Sequence, residues 1–177
     1  MDIGHGTGSF SFETAEAVMA AGHKPDVIST DLHQLSINGP AFDLPTTLSK
    51  FIHLGMSLRE AIEAATARPA AVLGLENEVG TLRPGSRADV ALFRIYHGDF
   101  PLQDIAGNVR PADQLLRNTT TILGGRALER LPEARGAPWT EEPIWPPFQH
   151  PFTEKQRQLR ELGRTPDAMA AAAGETA

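Results

Sequence analysis

A glycine-rich turn reached almost at once constrains this chain most. In Asp2-Ile3-Gly4-His5-Gly6-Thr7-Gly8, one or two apolar residues run straight into turn formers, which reads as the end of a strand. A helix follows. Ser11 suits its N-cap, Phe12, Ala15, Val18 and Met19 are spaced along one face, and Gly22 stands where a terminating glycine belongs. Next comes Asp26-Val27-Ile28-Ser29-Thr30-Asp31, a short β-branched run that ends in a carboxylate. Strand end, helix and strand make a βαβ unit, and its two strands must be parallel. Parallel strands are buried on both faces and need neighbours. The expectation is therefore the C-terminal part of a larger protein. Taken alone, the chain is expected to aggregate, dimerise or stay molten, because the edge of the strand holding Ile3 lacks a partner.

Downstream, residues 35–43 read as a loop. Pro45 suits the first position of a helix that reaches about Leu54 and is closed by Gly55. Ser57 and Glu60 form a capping box for a second helix with Leu58, Ile62 and Ala65 on its apolar face. A short helix from Pro69 to Leu73 ends at Gly74, and Arg83-Pro84-Gly85 reads as a turn. Residues 88–95 pattern as a strand, and residues 97–114 as a polar loop. Thr119 to Leu123, Gly124-Gly125 and Arg126 to Leu128 spell a hairpin. From Leu131 to Pro151 proline dominates and regular structure is expected to fade. Residues 153–163 suit a short polar helix, and the alanine-rich end from Ala168 is expected to fray.

Composition removes several classes of function. A chain of 177 residues, 41% hydrophobic, is long enough for a core. A net charge of -6 argues against a nucleic-acid partner. With no cysteine, disulfides, thiolate metal sites and cysteine nucleophiles are excluded, so a metal would need His, Asp or Glu. No apolar run approaches the roughly 20 residues of a membrane span. A cytoplasmic protein is expected.

Two places carry chemistry. The first is the Gly4-His5-Gly6-Thr7-Gly8 turn, where glycines let a backbone approach a ligand and a histidine has several uses; an ordinary turn that contains a histidine is the plainer alternative. It is no phosphate loop, since the lysine and following Ser/Thr are absent. The second is Thr30-Asp31-Leu32-His33. A carboxylate at the C-terminal end of a parallel strand lies where α/β folds keep their sites, although a helix cap is the plainer reading. If the segment is extended, Asp31 and His33 lean the same way. His23 reads as a surface residue at a helix end, His53 as packing or capping, and Asp89 as serving a turn. Trp139 and Trp145 read as pins for the tail, and His97 and His150 as loop residues without a role.

The run ISTDLHQLSINGPAFDLPTTLSKFIHLGMSLREAIEAATARPAAVLGL, followed by GTLRPGSRADVALF, resembles the C-terminal part of the amidohydrolase superfamily, and most of all its dihydroorotase-like amidohydrolase/deacetylase group. The resemblance spans about residues 1–130. It implies an α/β fold: strands 7 and 8 of a (β/α)8 TIM barrel with their helices over residues 1–75, part of an attached β-sandwich over 76–130, and an uncovered, largely irregular tail over 131–177. It implies a metal-dependent hydrolase of an amide or ester bond in a small molecule, with Zn2+ or a similar divalent ion, two of them in the complete enzyme. Asp31 matches the strand 8 aspartate, which binds metal and takes the proton of the attacking water. Counting strands back from Asp31 puts His5 on strand 7, so His5 and Gly6 are expected to contact substrate rather than metal. His33, just past strand 8, is expected to do the same. The family's HxH pair, bridging lysine and two further histidines have no counterpart here. The chain alone is therefore expected to be inert, and a complete protein to be a homo-oligomer or to join a separate N-terminal half-barrel. A non-catalytic remnant is the remaining alternative.

Overall fold

The computed structural model describes residues 1–129 apart from Thr7, Gln34, Leu35 and Asn38. The tail expectations, including Trp139, Trp145 and His150, lie outside the described residues. Strand β1 (Asp2–Gly4) pairs in parallel with β2 (Val27–Ser29), with Ile3 opposite Ile28, and helix α1 (Phe12–Ala20) connects them. The βαβ unit read from the sequence is therefore present. Gly22 closes the helix at φ +87, a conformation that glycine adopts without a Cβ penalty. Ser11 holds the N-cap position but its side chain makes no capping bond. The Phe12 N–H donates instead to Asp104 Oδ2 at 2.9 Å, a carboxylate 92 positions away in sequence.

Helices α2 (Leu44–His53), α3 (Leu58–Ala65) and α4 (Ala67–Val72) follow. Asp43 caps α2, accepting from the Thr46 N–H at 2.7 Å, and Pro45 sits in its first turn. The Ser57–Glu60 capping box forms as expected, with the Glu60 N–H donating to Ser57 Oγ at 3.2 Å and the Ser57 N–H to Glu60 Oε2 at 2.8 Å.

The second sheet differs from the sequence reading. Residues 97–114 are not a loop. Strand β3 (Val90–Gln103) and strand β4 (Val109–Leu123) form one long antiparallel hairpin, and β5 (Arg126–Ala127) adds a short third strand. Polar residues and two prolines mask the pattern. Pro101 and Pro111 sit opposite each other near the hairpin end, and register shifts between Leu92 and Phe93 and between His97 and Phe100 break the alternation. The turn at the end is held by Asp104, whose Oδ1 accepts from the N–H groups of Ala106 and Asn108 at 2.9 and 2.8 Å. The β4–β5 turn matches expectation. Gly124 and Gly125 stand at φ +56 and +80, as a tight two-residue hairpin requires, and Asp89 accepts from the Gly124 N–H at 2.7 Å.

One core joins the two sheets. Phe10, Phe12, Ile28, Leu48, Phe51 and Met56 pack with Leu102, Ala112, Leu115 and Leu116 of the hairpin. Helix α2 lies against β4, where Ser49 Oγ accepts from the Leu116 N–H at 2.9 Å. Arg110 on β4 pairs through two bonds with Glu16 on α1. The hairpin thus fixes the first helix of the βαβ unit, and with it the turn that precedes that helix.

Candidate functional site

Asp31 lies just beyond β2, exposed, with its backbone at φ +45. Few L-residues occupy that region, and Asp and Asn are the polar residues that tolerate it best. The strand therefore ends at Ser29, and the rule of alternating sides does not carry on to His33. Gly6, at φ +47, lies directly against Asp31: a Cβ on Gly6 would stand 2.7 Å from Asp31 Oδ2. The Gly6 N–H donates to Thr30 O at 2.8 Å and locks the two strand ends together. Asp31 also lines an open cleft of about 600 Å³ with Asp2, Ile3, Gly4, Ser9 and Ser29. His33 is exposed, and its backbone N–H donates to Ser36 Oγ at 2.9 Å. The structure thus brings Gly6 and Asp31 together and leaves His33 outside the residues that line the cleft.

His5, for which the resemblance implies a substrate contact, is fully buried. Its ring has no exposed surface and stacks on Phe10 with centroids 4.8 Å apart. Nδ1 lies 3.0 Å from Gly6 O and Nε2 lies 2.7 Å from Lys50 Nζ. A carbonyl only accepts, so Nδ1 carries the proton and Nε2 accepts from the lysine. Burial first, and then the Lys50 charge, push the imidazole down to about 3, so the ring is neutral at ordinary pH. Lys50 is equally buried, and its Nζ also donates to Pro40 O at 2.7 Å. Burial pushes its ammonium down to about 7, against the opposing pull of Asp104 and Asp43. Sequence reasoning missed Lys50, because a lysine in a helix normally reads as solvent-facing. The available signal was its position between Leu48 and Phe51, both core residues. Of the remaining histidines, His53 packs edge-on to Phe12 with centroids 6.4 Å apart, in line with the packing role expected for it.

These shifts give a pH dependence of definite sign. Between about 3 and 6.5, His5 is neutral when folded and protonated when unfolded, so stability rises with pH in that window. Between about 7 and 10.5, Lys50 sheds its proton in the folded state but not in the unfolded one, so stability rises again. One proton of difference gives at most about 1.4 kcal/mol per pH unit. Denaturant titrations at pH 7.5 and 9.5 should show a gain in the parent that Lys50→Met lacks. An equal gain in both proteins would contradict the assignment.

Among the described residues, no group of three or more His, Cys, Asp or Glu side chains is arranged to hold a metal ion. Asp31 offers one carboxylate, whereas zinc takes about four ligands. These residues do not make a metal site by themselves, and no chemical step follows from them through a metal.

A carboxylate just past the C-terminal end of a parallel strand pair lies where α/β folds keep their sites. The chain belongs to the amidohydrolase family, whose model matches residues 10–125. It is 40% identical over 138 residues to a deacetylase of Agrobacterium fabrum, an alignment that covers 76% of this chain and 34% of that protein. A deacetylase of Enterococcus faecalis is 40% identical over 126 residues, 71% of this chain and 34% of the other. Among solved structures, one described as an adenine deaminase superposes with a TM-score of 0.69 at 39% identity, covering 73% of this chain and 35% of that one. One described as a dihydroorotase gives 0.63 at 40%, covering 72% and 33%. The chain thus spans about a third of the length of these relatives. No helix among the described residues is long and apolar enough to cross a membrane.

Proposed function

We propose that this chain supplies the aspartate end of a hydrolytic site that cleaves an amide or ester of an acylated small molecule. The observation that carries the reading is the Asp31 carboxylate, held against Gly6 at the open end of β1 and β2. There it can take a proton from an attacking water and return it to the leaving group. The two deacetylase relatives at 40% identity favour an acyl substrate. A complete protein would add further barrel strands, from the same chain or from a separate N-terminal half-barrel, and with them the donors for zinc or a similar divalent ion. The edge of β1 and the exposed Leu92, Phe93, Ile95 and Tyr96 of β3 support further segments packing here. An acidic, cysteine-free chain suits the cytoplasm.

The test is an assay of the complete protein on four compounds: an N-acetyl amino acid, an O-acetyl hydroxy acid, a cyclic amide and adenine. Acetate release should exceed ring opening and ammonia release by at least about tenfold in kcat/KM. Ammonia from adenine as the dominant product, or no turnover of any acyl compound, would overturn the reading.

A further inference from the structure

The reading of Asp31 as a proton acceptor leaves unused the buried Lys50 among the described residues. A lysine is seldom removed fully from water, and then only with partners that repay the desolvation. The Lys50 partners are the Pro40 carbonyl and the His5 imidazole, both at 2.7 Å. From His5 the contacts continue toward the site. Nδ1 meets Gly6 O, the Gly6 N–H is bound to Thr30 O, and Gly6 leaves so little room beside the Asp31 carboxylate that a Cβ on it would stand 2.7 Å from Oδ2. Pro40 lies in the segment that follows Asp31 and His33. Lys50 therefore grips the β1 turn in front of Asp31 and the chain behind it.

We propose that Lys50 is a positioning residue, which fixes the Asp31 carboxylate by clamping the His5–Gly6 turn on one side and the Pro40 carbonyl on the other. The proposal rests on the reading of Asp31 as the proton acceptor. Lys50 acts through Gly6 and the loop and touches no reacting atom. Two acceptors surround Nζ, and an amine keeps two N–H donors even when it is neutral, so the clamp holds on either side of neutral pH. The stacked Phe10 ring, 5.5 Å from Nζ at its centroid, closes the remaining side.

The test uses Lys50→Met and His5→Leu in the complete protein. Methionine keeps the length of the side chain and removes the donors. Leucine leaves the Lys50–Pro40 contact and cuts the path to Gly6. Amide hydrogen exchange at Gly6 should accelerate at least about tenfold in both variants, while the Leu115 and Leu116 amides of β4 stay within about threefold. On the best acyl substrate, kcat should fall at least about tenfold with KM within about threefold. Unchanged exchange at Gly6, or equal acceleration in β4, would overturn the proposal and leave Lys50 a core residue. If Lys50→Met does not fold, His5→Leu decides by the same criteria, and failure of both to fold also assigns the pair to the core. A parent without acyl turnover would sink the hydrolytic reading, and the exchange measurement would still judge the clamp.

Discussion

Asp104→Ala should lower the stability of the protein by about 3 kcal/mol or more, the largest effect expected of any single truncation here. The carboxylate is buried and accepts four hydrogen bonds. Oδ2 takes the Phe12 N–H and the Asn108 side-chain amide, each at 2.9 Å, and Oδ1 takes the N–H groups of Ala106 and Asn108. Three of those donors are backbone groups. Removing the carboxylate orphans all of them, at about 1–3 kcal/mol for each that stays buried, and deprives α1 of the anion at its positive end. Asp104→Asn keeps one acceptor oxygen and should fall between the parent and the alanine variant. Equilibrium denaturation measures both. A loss below about 1 kcal/mol for alanine would mean that the hairpin docks on α1 without this carboxylate. The consequence extends to the site, because the turn holding His5 and Gly6 leads directly into α1.

How much of this was legible in the sequence depends on how local each cause is. The Ser57–Glu60 box and the Gly124–Gly125 turn follow from residues within four positions of one another, and both form as read. The α1 cap could not be read that way. Ser11 is the right residue in the right place, yet the acceptor comes from Asp104. The β3–β4 hairpin was hidden for a related reason. Its strands are defined by pairing across the ladder, and Pro101, Pro111 and the shift after His97 break every local pattern. Asp31 stands out in the sequence because a carboxylate after a β-branched run is a local signal. Its turn at φ +45 does not, so the expected alignment with His33 rests on an extended backbone that ends at Ser29. Lys50 and the burial of His5 depend on contacts 45 positions apart, which no periodicity records.

Asp31→Asn should leave the fold and substrate binding largely intact and remove most turnover. Asparagine tolerates the same left-handed backbone, and its amide has nearly the same shape against Gly6. What it lacks is a basic oxygen that can accept a proton. Positioned general bases contribute about 10²–10⁴ in rate, so kcat should fall by at least about 100-fold while KM stays within a few-fold.

Acetate release from an N-acetyl or O-acetyl substrate, compared between the complete parent protein and Asp31→Asn of equal thermal stability, tests the central claim most directly. The account predicts a kcat at least about 100-fold lower in the variant with melting unchanged. Turnover within about tenfold of the parent would place the base elsewhere, and loss of folding in the variant would make Asp31 a structural turn residue instead.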